Sequence, residues 1–301
     1  MTATAALPDF LQPLPLQPVV VRPPQGAVLP LVCDSPHSGT AYPADFGVAV
    51  PLALLRRGED THVHRLWDAL PDYGATLIEA TFPRTYIDPN RAEGDINPAM
   101  LDGEWPVALQ PGPKTLQGLG LVWERISQAG QSTPVYDRKL SVAEVQQRIE
   151  RYWRPYHAAV SQAIRWSVDR FGGVWHINLH SMPSDVYQRL GTPDKQLADF
   201  VLGDRDGTTC APEFIHLIGD TLQAQGYSVA YNEPYKGVAL LADIGQPHLQ
   251  RHSMQIEINR PLYMDEATRE PNAGFEPLRQ NLQKVMAVVS DYVRQQLPVR
   301  G

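Results

Sequence analysis

Val174-Trp175-His176-Ile177-Asn178-Leu179-His180-Ser181 reads as a buried strand that follows Gly172-Gly173 and stops at a His-Ser pair. An earlier apolar run, Val28 to Asp34, ends in a similar way at Ser35-Pro36-His37-Ser38-Gly39. In an open α/β sheet ligands bind outside the carboxyl ends of the strands, so two imidazoles delivered there from different strands can converge on one metal ion. A lone strand-end histidine is more often a hydrogen-bonded structural residue. The pair therefore needs a third ligand and a base before it signifies a metal centre.

Outward from these strands the chain alternates. Before His180 lie a strand ending at Cys33, an expected helix from Pro51 to Pro71 and a strand from Ala75 to Ala80. Ser141 starts a long helix as its N-cap, with Glu144 at the capping-box position and a kink expected at Pro155. After His180 come short strands at Phe200 to Leu202, Tyr227 to Tyr231 and Met254 to Ile258, with helices at Pro212 to Gln225 and about Gly274 to Gln296. This rhythm predicts a single α/β domain, a mixed, mostly parallel sheet with helices on both faces. Residues 1–26, dense in proline, read as an extended arm preceding a catalytic domain over 27–301. The stretch from Asp88 to Pro134 reads as an irregular excursion carrying loops.

Gross composition narrows the function. The 301-residue chain carries a formal net charge of -7 and no long Lys/Arg run, which argues against a nucleic-acid or anionic-membrane partner and for a small-molecule substrate. Cys33 and Cys210 are its only cysteines and form no CxxC pattern, so neither a disulfide scaffold nor a thiolate zinc site is available. With no signal peptide or membrane span recognisable, a cytoplasmic setting is expected. No His-Glu-x-x-His, Gly-x-Ser-x-Gly or Gly-x-x-x-x-Gly-Lys occurs, so serine-hydrolase and nucleotide-binding readings lose their main support.

Three clusters carry the remaining chemistry. Gly58-Glu59-Asp60-Thr61-His62-Val63-His64 sits in the expected helix, with Leu52, Leu55, Val63, Leu66 and Leu70 as its buried stripe. Asp60 at the stripe's edge can complete a His37, Asp60, His180 set with an open position, as in catalytic zinc sites; a solvated helix face is the alternative. His62-x-His64 also matches the pair that opens barrel-type amidohydrolase metal sites. In a helix, however, such side chains diverge. Next, Arg84-Thr85-Tyr86-Ile87-Asp88-Pro89-Asn90-Arg91 offers two guanidiniums, which suit a substrate bearing carboxylates, with Asp88 available to hold one in place. A surface salt-bridge loop is its bland counterpart. Last, Glu257 in Gln255-Ile256-Glu257-Ile258-Asn259-Arg260 lies among apolar neighbours, where poor solvation raises a carboxyl toward a working general base, unless Arg260 pairs with it. Tyr235, in the loop Asn232 to Gly237, can close the pocket.

In this order the motifs resemble the N-formylglutamate amidohydrolase family over roughly Ala27 to Tyr263. That family is similar in fold to zinc carboxypeptidases and aspartoacylases, so the resemblance implies a zinc-exopeptidase-like domain. Those relatives carry an arginine ahead of an Asn-Arg pair, matched here by Arg84, Asn90 and Arg91. By that likeness Arg84 polarises the scissile carbonyl while Asn90 and Arg91 hold a substrate carboxylate. One position departs: the carboxypeptidase relatives have a glutamate three residues after the first histidine, and this chain has Thr40. Asp60 takes the place of that ligand, with Glu59 or His62 next in line. The implied reaction is metal-dependent hydrolysis of N-formyl-L-glutamate to formate and glutamate, as in histidine breakdown, with zinc, or else cobalt, manganese or iron. Hydrolysis of another N-acyl amino acid or small dicarboxylic amide, and a metal-free anion-binding module without turnover, are the competing expectations.

Overall fold

A computed structural model describes residues 17–128 and 130–297. Seven strands form its main sheet: β1 (Val19–Arg22), β2 (Leu31–Ser35), β3 (Thr76–Ala80), β4 (Val174–Met182), β5 (Phe200–Gly203), β6 (Val229–Tyr231) and β7 (Arg251–Asn259). Their order is β1-β3-β2-β4-β7-β5-β6. β3, β2, β4 and β7 run parallel, while β1 pairs antiparallel with β3 and β5 with β7. The result is the mixed, mostly parallel sheet expected. Four longer helices cover it: α1 (Val142–Arg148), α2 (Arg154–Phe171), α3 (Pro212–Gln223) and α4 (Phe275–Gln296).

Strict alternation sorts the central strands. Leu31, Cys33, Trp175, Ile177, Leu179, Met254, Ile256 and Ile258 enter one core with Phe214 and Ile218 of α3 and Leu282 and Val289 of α4. Side chains one residue out of phase face the opposite way, toward α2, as the two-residue period of a strand demands. Register then places Asp34 beside Asn178 and His180 beside Glu257. Among the described residues no helix is long and apolar enough to cross a membrane.

Two expectations are corrected. Val19–Arg22, inside the segment read as a surface arm, is an edge strand paired with Leu77–Ala80. Its β-branched run favours a strand, and Pro18 and Pro23 bound it; residues 1–16 of that arm lie outside the described residues. The expected helix from Pro51 to Pro71 is instead a chain of short turns, Leu52–Leu55, Arg56–Gly58, Val63–Leu66 and Leu70–Tyr73. Gly58 presses on the neighbouring loops so closely that a Cβ there would lie 2.8 Å from Thr85 Cγ2, and Glu59 turns extended. The stripe breaks with it, since Leu52 is 53% exposed whereas Leu55, Val63, Leu66 and Leu70 are buried. The helix runs on through Pro155, with a π-helical turn, Ile149–Trp153, just ahead of the proline that cannot donate an N–H. Upstream, Ser141 Oγ accepts from Glu144 N as a cap should.

Candidate active site

Outside the carboxyl ends of β2 and β4, His37 and His180 approach with ring centroids 4.7 Å apart. Gly39 lets the first loop lie against the chain after β3, because a Cβ there would sit 2.4 Å from the Phe82 carbonyl oxygen. Asp60, freed from any helix by the break at Gly58, folds back so that its amide donates to the His37 carbonyl at 2.9 Å. Its Oδ2 then lies 3.5 Å from His37 Nδ1 and 3.0 Å from His180 Nδ1. Of the three carboxylate or imidazole candidates for a third ligand, Asp60 is the one that meets the histidines. Glu59 is held by Tyr42 and Thr61, and the ring of His62 bonds the Arg269 carbonyl.

The far side of each ring is engaged. His37 Nε2 donates to Asp88 Oδ1 at 2.7 Å, and His180 Nε2 donates to Asn178 Oδ1. Both bonds turn the Nδ1 atoms toward Asp60. His37 Nδ1 is buried and has no hydrogen-bond partner among the described residues. One ligand atom from each of the three side chains falls within 4.8 Å of the other two. Two imidazole nitrogens, one carboxylate oxygen and an outer carboxylate or amide fixing each tautomer are a donor set that fits a divalent cation such as zinc. Burial pushes Asp60 up, but the hydrogen bond with His180 and the nearby His37 and Arg260 outweigh it, holding the carboxyl well below its usual range.

Glu257 sits in register with His180 on β7. Burial raises its pKa to about 7, with the charge of Asp60 adding to the rise and His180, Arg84 and Arg260 opposing it. Arg260 does not pair with it. Instead its Nη2 donates to Asp60 Oδ1 at 2.9 Å and its Nε to Ser181 Oγ.

The loop after β3 turns two of its polar side chains inward. Asp88, expected to hold a guanidinium of this loop in place, is fully buried: Oδ2 accepts from Arg84 Nε and Nη2 and Oδ1 from His37 and the Asn90 amide. It is a support for a guanidinium and an imidazole. Asn90, expected on substrate, turns its Nδ2 to Asn178 Oδ1 at 3.0 Å and packs 2.8 Å from His180 Nε2. Asn90 is drawn inward by the Asn178 acceptor on β4, and Asp88 by the His37 and Arg84 donors around it. Arg91 donates to the Leu119 and Asn90 carbonyls, so part of its fork is already used. Arg84 stays at the site's edge, stacked over Trp123 at 5.1 Å and near enough to Glu257 to favour its ionised form. Tyr235 is half-buried; burial and Glu257 raise its phenol pKa while Arg260, Arg189 and Arg84 oppose the rise.

Behind the histidines lies a network that the motif reading did not single out. Asp34 accepts from His176 Nε2 at 2.8 Å, from Asn178 Nδ2 at 2.9 Å and from the Tyr156 hydroxyl of α2. His176 Nδ1 bonds Ser253 Oγ at 2.8 Å. Burial pushes Asp34 up, but the hydrogen bonds and charge of His176, with those from Tyr156 and Asn178, leave it lowered. The signal was available: His176, Asn178 and His180 recur at every second residue of one strand.

Strands, ligand set and buried carboxylate form the layout of an α/β enzyme whose chemistry lies beyond the carboxyl ends of its parallel strands. The chain belongs to the N-formylglutamate amidohydrolase family, whose sequence model matches residues 29–264. It is 56% identical to a crystallised N-formylglutamate amidohydrolase from Ralstonia eutropha JMP134, covering 93% of this chain and 99% of that one with a TM-score of 0.90. An N-formylglutamate deformylase of Pseudomonas putida is 28% identical over 86% of this chain and 90% of its own length. Its Pseudomonas aeruginosa counterpart is 28% identical over 79% and 83%.

Proposed function

We propose that the protein hydrolyses the formamide bond of N-formyl-L-glutamate, releasing formate and glutamate, with one divalent cation held by His37, Asp60 and His180. The observation that carries this reading is the convergence of two Nδ1 atoms and Asp60 Oδ2 beside a glutamate whose pKa is raised to about 7. Bound there, a cation such as zinc supplies Lewis acidity that acidifies water and polarises a carbonyl. Glu257 takes the proton from the attacking water and later delivers it to the leaving amine, a double duty suited to a pKa near the working pH. Arg84, braced by Asp88 and Trp123, stabilises the oxyanion as the carbonyl carbon becomes tetrahedral. Arg91 offers its remaining N–H groups to a substrate carboxylate, and Tyr235 closes over the reacting centre. Two free, buried cysteines, Cys33 and Cys210, accord with a reducing cytoplasm.

Purified protein reconstituted with zinc, cobalt, manganese or iron is expected to release formate from N-formylglutamate, and chelation to abolish release and lower the Tm, because a ligand that binds only the folded state stabilises it. Full activity after exhaustive chelation overturns the metal assignment. Turnover of another N-acyl amino acid with N-formylglutamate inert assigns a sister specificity, and calorimetric binding without turnover in cation-loaded protein assigns an anion-binding module.

A further inference from the structure

Beyond the ends of the two strands that deliver His180 and Glu257, the chain builds a second polar cavity. Its volume is about 270 Å³, and Arg57, Arg189, Arg260 and Arg269 line it with Asp185 and Glu266. That is below the roughly 300–1,000 Å³ of pockets that enclose a whole ligand, and suits one arm of a ligand. Four guanidiniums face two carboxylates, and both carboxylates are already engaged. Glu266 accepts from the amide and hydroxyl of Ser184, while Asp185 is shared by Arg189 at 2.6 Å and Arg57 at 3.9 Å. Arg57 Nε is buried with no hydrogen-bond partner among the described residues. The cations crowd one another as well, since burial and then the charge of Arg260 bring Arg269 down to about 10. Such a group of guanidiniums is stabilised by an incoming anion, and a carboxylate matches the guanidinium fork.

Arg260 joins this cavity to the reacting centre, because the guanidinium that lines it also donates to Asp60 Oδ1 at 2.9 Å. Arg84 and Arg91 form a separate cationic group in the loop after β3, tied to Asp88 and to the Leu119 carbonyl. We infer that the arginine cavity is a second carboxylate subsite, taking the side-chain carboxylate of an N-acyl dicarboxylic amino acid while the Arg84–Arg91 loop meets the other carboxylate. This rests on the deformylase reading and adds the residues that select a dicarboxylate. Arg57 and Arg189 are the selectors, because Arg260 and Arg269 also hold the Asp60 turn in place.

The test compares N-formylglutamate with N-formylglutamine, its neutral isostere, on the cation-loaded full chain. Parent protein is expected to favour N-formylglutamate by about a hundredfold in kcat/KM, since a site built for a charge rejects the analogue that leaves it unpaired. In Arg57→Gln/Arg189→Gln that ratio is expected to fall at least about tenfold, and Arg57→Lys/Arg189→Lys to regain part of it. Arg189 is exposed, so the single variant Arg189→Gln carries the same prediction in a protein that folds. A parent without preference, or a variant ratio within about twofold of the parent's, overturns the subsite. Parent protein that turns over neither compound overturns the deformylase reading instead, and the ratio of the two calorimetric affinities, parent against variant, then decides the subsite.

Discussion

The strands β4 and β7 have two surfaces that differ in kind. On one, Trp175, Ile177, Leu179, Met254, Ile256 and Ile258 pack against α3 and α4, and their one polar side-chain N–H, Trp175 Nε1, is buried without a hydrogen-bond partner among the described residues. On the other, His176, Asn178, His180, Ser253, Gln255 and Glu257 are buried as well, and the polar atoms of the first three are answered by Asp34, Asp60, Asn90 and Ser253. Apolar burial contributes about 25 cal/mol per Å² wherever it occurs, whereas buried polar groups return their desolvation cost only when each finds its partner. The first surface tolerates approximate packing. The second demands specific geometry, and that is where a reacting centre gains its orientation.

Glu257→Gln strikes the polar surface hardest. It is expected to lower kcat by about 10²–10⁴ while leaving the Tm unchanged or higher, because a neutral amide replaces a poorly solvated carboxyl. Rates matching the parent would remove Glu257 from proton transfer.

Neighbouring residues then separate the two surfaces directly. Leu179→Ala is expected to cost about 2–5 kcal/mol in denaturant unfolding, with kcat per folded molecule within about threefold of the parent. Asn178→Ala strips the bond to His180 Nε2 and two donated to Asp34. It is expected to cost about 1–3 kcal/mol but to lower metal affinity or kcat/KM by about 10–100-fold. Equal behaviour of the two variants would break the division.

The smallest effect is in pH. Glu257 must be ionised to accept a proton, and its pKa is raised to about 7, so kcat/KM is expected to fall about tenfold per pH unit on the acid side of that value. A bound cation moves this limb lower by favouring the carboxylate. Leu179→Ala should leave the limb where the parent has it, and a shift there would couple the apolar surface to the proton transfer.

The strand ends at His37 and His180, the cap at Ser141 and the last helix were legible because each is a local pattern of apolar spacing or capping chemistry. The region 51–71 was misread for the opposite reason. Its leucines keep helical spacing, while Gly58 answers to Thr85 and Trp123, which lie far along the chain. That same break is what brings Asp60 to the histidines. Asp88 holds Arg84, the kind of neighbour its motif offered, and both it and Asn90 also face inward to the imidazoles, a contact that the loop's sequence does not reveal.

By itself the sequence determined the alternation of strands and helices, the residue types available for metal and carboxylate chemistry, and the family those motifs resemble. These follow from periodicity and order along the chain. Only the tertiary structure decided which carboxylate joins the two histidines, that Arg260 turns to Asp60 rather than Glu257, and that two cationic groups flank the centre. Those outcomes depend on strand register and loop closure, which set distances between residues as far apart as Asp60 and Arg260.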